Sequence, residues 1–291
     1  FQVTTSSYVY FYTINLETFE PTLENVMNNF MNCSQMMIGK KQRNCIAFKV
    51  NDKCFDIYQR KYMHNLRVCV NSKDFSGSHA VEFNTMNMLV VSDVDKLLIF
   101  EDKTYQLVAS IAIPLLKTET REINEVIGLQ KSKCENLLAV VAGKNLIMTE
   151  QKQNQLFIYK RQTYIVAGVD NELFTLHKRI ILKDIPVFDK VCMQFMFKNA
   201  RDGQIPSTLI FTKKTQIFEL NFDKETIKVI YQYSESFKIQ PNYFVANDAQ
   251  DIFVVASMND GFWVNITEKN DVDLDEHYNI DSIMQIVYES E

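Results

Sequence analysis

Apolar runs of about five residues recur along this chain, separated by turns of only two to four residues, too short to hold helices. The clearest copy spans residues 80–113 and reads AVEFN, TMN, MLVVS, DVD, KLLIFED, KT, YQLVASIAI. Strands joined this closely must lie side by side and antiparallel. Aromatic residues, at 12% with 21 Phe and 13 Tyr against one Trp, suit such pleated, half-buried surfaces. The apolar pattern alternates with period two, not 3.6, which argues against a helical solenoid.

The same order of strands reappears four more times. Residues 34–70 carry SQMMIG, CIAFKV, CFDIYQ and NLRVCV. Residues 124–182 carry NEVIGLQ, NLLAVVAG, QLFIYK and LFTLHKRIIL, with an insertion near 149–153. Residues 191–233 carry VCMQFMF, STLIFT, QIFELNF and TIKVIYQY. Residues 242–274 carry NYFVAN, DIFVVAS, FWVNIT and a weak DVDL. Equivalent third strands lie about 42 to 61 residues apart, a spacing that brackets one blade of a β-propeller. The stretch 24–37 also has some helical spacing and reads as a short helix.

The two ends complement one another. FQVTT, YVYFYTIN and TFEPTLENV match the second, third and fourth strands of a unit whose first strand is missing. DSIMQIVYES, near the C-terminus, resembles a first strand with nothing after it. Pairing residues 282–288 beside the N-terminal strands would close a ring and remove a sheet edge at the seam. The expected fold is therefore all-β: a β-propeller of about six four-stranded blades over residues 1–291, closed by a C-terminal strand joining the N-terminal blade. The count rises to seven if the long fourth repeat hides a blade. A two-sheet sandwich also supplies many short strands, but does not predict complementary half-units. The chain opens on Phe1, and a longer parent protein is expected.

Residues 80–102 resemble a WD40 repeat, in a degenerate form. Val81-Glu82-Phe83-Asn84 stands in the first strand and Leu89-Val90-Val91-Ser92-Asp93 in the second. Phe100-Glu101-Asp102 stands where that family has Trp-Asp, and Tyr58-Gln59, Tyr159-Lys160 and Leu220-Asn221 hold the place elsewhere. The family's structural turn aspartate is matched by Asp52, by Asp93 or Asp95, and by Asp260. Its Gly-His opening is absent, with only His79 near the right region. The resemblance implies a scaffold whose loops bind other proteins.

The residues carry no catalytic signature. Seven scattered glycines form neither a dinucleotide fingerprint nor a phosphate loop. There is no G-x-S-x-G elbow, no H-x-x-x-H and no C-x-x-C. No enzyme activity and no cofactor are expected. Asp271, Asp273, Asp275 and Glu276 resemble the start of a calcium loop, but the sixth and twelfth places hold Glu276 and Ser282, so the stretch reads as a solvated turn. Cys45, Cys54, Cys69 and His64 could gather around a metal. Buried, inert strand cysteines are the expectation, since six cysteines in 291 residues are too sparse for a disulfide scaffold.

Partner contacts are sought at Trp263, the single Trp, and at the basic turn Lys40, Lys41 and Arg43. The bland alternatives are a core third-strand residue and a solvated hairpin tip. A net charge of -5 gives no general attraction to nucleic acid or anionic lipid. The longest apolar stretch, 107–116, is too short to span a membrane as a helix and contains Ser110 and Pro114. The partners expected are proteins of a larger intracellular assembly. The excess of Lys over Arg resembles AT-rich coding sequence such as that of ciliates, so cytoplasmic, cytoskeletal, ciliary or trafficking complexes are the natural candidates. Two readings stay open beside this one: an enzyme or small-ligand receptor using a central cavity, and a secreted adhesion propeller glycosylated at Asn32 or Asn265.

Overall fold

The computed structural model describes residues 2–4, 8–15, 18, 20–28, 33–38, 44–49, 54–59, 64–70, 79–114, 123–145, 153–166, 169–181, 195–198, 200, 204–213, 216–224, 226–232, 243–246, 252–256, 260–265 and 277–279. The chain divides into two compact units, Phe1–Ala112 and Ile113–Glu291. In the first unit, β1 (Gln2–Thr4), β2 (Tyr8–Ile14) and β3 (Pro21–Asn28) make a three-stranded sheet. Two four-stranded sheets follow: β4 (Cys33–Ile38), β5 (Asn44–Lys49), β6 (Cys54–Gln59) and β7 (His64–Cys69), then β8 (Ala80–Phe83), β9 (Met88–Ser92), β10 (Lys96–Glu101) and β11 (Leu107–Ala112).

The second unit holds three more four-stranded sheets. They are β12 (Ile123–Lys131), β13 (Leu137–Asn145), β14 (Gln153–Val166) and β15 (Val169–Ile181); β16 (Phe195–Phe197), β17 (Thr208–Lys213), β18 (Gln216–Asn221) and β19 (Thr226–Gln232); and β20 (Tyr243–Ala246), β21 (Ile252–Ala256), β22 (Asp260–Asn265) and β23 (His277–Asn279). In every sheet the strands lie in chain order and each neighbour is antiparallel. The expected unit of four consecutive hairpin-linked strands is the unit observed.

Three local expectations need correction. The described residues of 24–37 are strand, not helix: β3 ends at Asn28 and β4 begins at Cys33, and their residues pair with β2 and β5. Cross-strand partners on both sides outweigh the weak helical spacing. The long fourth repeat hides no extra blade, because its surplus residues lengthen one hairpin, β14–β15. The fourth strand of the last sheet is His277–Asn279, paired with β22, while DVDL at 271–274 lies outside the described residues. The proposed seam at 282–288 also lies outside them.

The inner strands β9, β10 and β13 are covered on both faces. None of the six consecutive residues from Leu137 to Ala142 is more than 1% exposed. In β9 and β10, residues of both parities are buried likewise: Leu89, Val91, Leu98 and Phe100 on one face, Val90, Leu97 and Ile99 among the rest. A two-layer sandwich leaves one face of each sheet to water, and neither face of these strands is in water.

Two of the stackings are visible. Within the first unit, Phe55, Ile57, Val68 and Val70 of the second sheet pack against Ala80, Leu89, Val91, Leu98, Phe100 and Tyr105 of the third. Phe55 and Phe100 meet edge to face at 5.4 Å. Within the second unit, Leu137, Ala139, Val141, Leu156 and Ile158 pack against Phe197, Leu209, Phe211, Leu220 and Phe222.

The third sheet is closed by polar groups where its strands end. Ser92 is buried; its N–H donates to the His79 carbonyl at 2.8 Å, and its Oγ accepts the His79 N–H at 2.9 Å. Ser132 does the same work at the β12–β13 turn, donating to the Leu137 carbonyl and accepting the Leu137 N–H on its Oγ at 3.0 Å. Both hydroxyls satisfy backbone donors that the ladder cannot reach. In the fifth sheet Glu219 takes Lys198 at 2.8 Å and Lys228 at 3.0 Å. Burial alone would push the Glu219 carboxyl up, but hydrogen bonds and charge from Lys198 and Lys228 outweigh it and hold the value below that of an ordinary glutamate.

Phe100→Ala is expected to lower the unfolding free energy by about 3–5 kcal/mol, measured by denaturant titration, because it empties the contact with Phe55. Glu219→Gln tests the paired carboxylate. With the native value depressed, its contribution is complete above the unfolded glutamate value, about 4.3, and is lost as pH falls through the lower native one. The difference between Glu219→Gln and the parent in thermal unfolding is therefore expected at neutral pH, at no more than about 1 kcal/mol for so exposed a pair of lysines, and should disappear in acid.

Candidate functional site

The expected turn aspartate in the third sheet is Asp93, not Asp95. Asp93 is 3% exposed, donates its N–H to the Lys96 carbonyl at 2.8 Å, and accepts the Val94 N–H on Oδ1 at 2.9 Å. Its other oxygen faces Lys96 Nζ at 3.5 Å. Asp95 is exposed in the same turn. Asp260 is the first residue of β22, opposite Asn279, and Asp52 lies outside the described residues. Of Phe100-Glu101-Asp102, Phe100 is core, and Glu101 accepts the Thr104 N–H at 3.2 Å. Asp102 is buried in the turn, with its N–H on the Asn87 carbonyl.

Trp263 sits on β22 opposite Val254, the expected third strand. The basic turn Lys40, Lys41 and Arg43 and the acidic stretch 271–276 lie outside the described residues. Cys45 stands opposite Tyr58 in the β5–β6 register. Cys54 is bonded instead to Cys69, directly opposite on β7 with Cα atoms 4.1 Å apart. The reading of these two as inert buried thiols is corrected: Cys69 is exposed and Cys54 half-buried. Register decides the pairing, since an antiparallel neighbour at this Cα separation puts its Cβ within bridging distance. Among the described residues, no three His, Cys, Asp or Glu side chains gather to hold a metal ion.

The largest departure from a plain four-stranded unit is the β14–β15 hairpin. The neighbouring β13 begins at Leu137, opposite Lys160. Beyond that point residues 161–166 pair only with 169–174, from Arg161 opposite Phe174 to Val166 opposite Val169. Six pairs at ~3.3 Å per residue carry this two-stranded ribbon about 20 Å past the sheet. Its base is fixed: Phe174 is buried, and the Arg161 N–H donates to the Asn136 carbonyl at 2.9 Å. Gln162 and Thr163 are exposed. The tip sequence, Tyr164-Ile165-Val166-Ala167-Gly168-Val169, carries no charge, and Asp170 and Glu172 follow on the return strand.

At the opposite end of the same hairpin, Arg179 lies across from Phe157 and over its ring, 5.8 Å from the centroid. Its Nε donates to Gln155 Oε1 at 2.9 Å. Gln155 and Tyr159 flank Phe157 on the same face of β14, and both are buried. Burial pushes the Tyr159 phenol up to about 12, so it stays neutral. Neither Arg179 Nη2 nor the Tyr159 hydroxyl has a hydrogen-bond partner among the described residues.

No protein-family model and no curated protein sequence matches the chain. Solved structures do. A candidate 6-phosphogluconolactonase from Bacteroides fragilis aligns over 94% of this chain and 77% of its own, at 10% identity and a TM-score of 0.56. A second, from Bacteroides uniformis, aligns over 95% and 79%, at 12% identity and 0.57. Hsv2 from Kluyveromyces marxianus aligns over 90% and 87%, at 8% identity and 0.50. These neighbours are propellers, and likeness at such low identity shows the fold alone: this chain is an all-β protein of four-stranded antiparallel sheets with the β-propeller fold.

Proposed function

We propose that this chain is a non-enzymatic protein-interaction platform within an intracellular multiprotein assembly, and that the β14–β15 ribbon is its principal contact. The observation that carries this is the ribbon itself. Six residue pairs of one two-stranded ribbon project beyond their sheet, from a base held by Phe174 and Arg161, toward an uncharged tip sequence. Ordering such a projection costs conformational entropy that its own sheet does not repay, and a partner's surface is what would repay it. The acidic residues of the return strand make a neutral or basic protein groove the better match than an anionic lipid surface. Cytoskeletal, ciliary and trafficking complexes are the settings by analogy with degenerate WD40-type propellers. The missing dinucleotide, phosphate-loop and nucleophile motifs support a role outside catalysis.

A second reading, an exported adhesion-type propeller, is favoured by one observation, the Cys54–Cys69 disulfide. Such bonds persist in oxidising compartments and are rare in the cytosol. The two readings differ in compartment and agree in assigning the chain to protein binding.

Replacing residues 162–173 with Asn-Gly keeps the buried base and supplies a two-residue hairpin turn. The shortened chain should unfold within a few degrees of the parent, and affinity isolation from the native source should lose the proteins that the parent retains. Retention of all of them would defeat the ribbon assignment, and turnover of a small molecule by the isolated chain would defeat the platform. The compartment is tested by alkylating the protein as isolated, without reduction, and mapping its peptides. Cys54 joined to Cys69, with sugar on Asn32 or Asn265, selects export, and free thiols at both positions select the cytosol. Where the bond is present, Cys69→Ser is expected to lower stability by about 3 kcal/mol for a loop of 15 residues.

A further inference from the structure

The Cys54–Cys69 bond crosses the outermost ladder of the second sheet, where β7 is the last strand and the two Cα atoms stand 4.1 Å apart. Val68 and Val70, on either side of Cys69, are only 9% and 7% exposed, main chain included. The backbone here shows little of itself to water, so the exposure of Cys69 belongs mainly to its side chain. Successive residues of a strand alternate between faces. Val68 and Val70 therefore join the packing against the third sheet, while Cys69 stands on the opposite, wet face.

We propose that Cys69 is a thiol-exchange site of the folded protein, where a small thiol of the glutathione class adds reversibly and releases Cys54. Displacement at a disulfide runs in line: the incoming thiolate meets one sulfur on the side away from the other. Behind Cys69 that line leads off the β7 edge, whereas behind Cys54 it leads back across β5. The thiolate sulfur bonds to Cys69 Sγ, the Cys54–Cys69 bond breaks, and its electron pair leaves on Cys54 Sγ, which takes a proton from water. A second thiolate then attacks the mixed disulfide and frees Cys69. Two small thiols have been oxidised to one disulfide, and the protein bond has been reduced by the same two electrons. Opening the bond does not release the strand. β7 keeps its six pairs with β6, and Leu66, Val68 and Val70 keep their packing on the third sheet. The register holds the two thiols within reach of each other, so closure by Cys54 on the mixed disulfide is intramolecular and favoured. Exposed disulfides of this kind are the exchangeable ones. The site does not depend on the platform reading.

The test uses the full chain, isolated without reduction, in native buffer with reduced glutathione, quenched by alkylation and mapped by mass spectrometry. A chain isolated with free thiols is taken through the reverse reaction with oxidised glutathione, with the exposed, unbonded Cys134 as the reference thiol. In both directions the glutathione adduct should favour Cys69 over Cys54 by about tenfold or more, at a rate that stays flat in urea below the unfolding transition. Cys54→Ser removes the closing thiol, so the adduct on Cys69 should accumulate instead of being expelled. Amide exchange in residues 64–69 should quicken on reduction while the far-UV circular dichroism is unchanged. An adduct mainly on Cys54, or exchange that begins only as the chain unfolds, overturns the site. Failure of oxidised glutathione to close the bond while it reacts with Cys134 does the same.

Discussion

Burial of the inner strands on both faces is the constraint on which the other features rest. In β13, six successive residues are shut off from water, and β9 and β10 behave alike. A strand of that kind cannot belong to a sheet with one wet side. It must sit in the middle of its own sheet, with a hydrogen-bonded neighbour on each edge and neither face in water. The edge-to-face contact of Phe55 with Phe100 and the interleaving of Leu137, Ala139 and Val141 with Leu209 and Phe211 are what that covering looks like in detail. A small side chain such as Ala139 at the centre lets the larger rings of the next sheet approach.

This constraint is also why so much of the fold was legible. Continuous apolar runs such as MLVVS and NLLAVVAG announce central strands, and turns of two to four residues leave adjacent antiparallel pairing as the natural connection. The order of strands and the four-strand unit follow from those two facts. The helical reading of 24–37 failed because a short mixed segment has no period of its own strong enough to resist its cross-strand partners. The turn aspartate was legible as a type of residue at a type of place. The choice between Asp93 and Asp95 depended on which side chain folds back onto its own turn, a matter of geometry two residues wide.

What the sequence concealed depended on register. The residues from Arg161 to Glu172 fell between a recognised third strand and a recognised fourth, with no Pro and no turn signal before Ala167-Gly168. The β-branched and aromatic run Thr163-Tyr164-Ile165-Val166 was the available sign that the strand simply continues. Nearness in sequence grouped Cys54 with Cys45, Cys69 and His64 alike. Its true partner, Cys69, is set by which residue of β7 stands opposite, and a shift of one position would have sent the two sulfurs to opposite faces. Arg179 over Phe157 is likewise a cross-strand pair, visible only once the β14–β15 register is known.

The sheet edges show one further regularity. Every register shift among the described strand pairs falls at an edge strand: in β4 between Cys33 and Met36, in β12 at Ile127, and in β3, β11, β15 and β19 at Glu24, Val108, His177 and Ile230. The pairs between middle strands, from β5–β6 to β21–β22, run without a shift. An extra residue bends and twists an outer strand, which spoils its edge as a template for pairing with another chain. Six of the described outer strands lack this device. Five of them, β1, β8, β16, β20 and β23, are only three or four residues long and offer little edge. β7 runs six residues in perfect register with β6, and it is the strand tied down by Cys54–Cys69. The disulfide therefore stands where the local bulge is missing, at the one long outer edge that nothing else in its own ladder distorts.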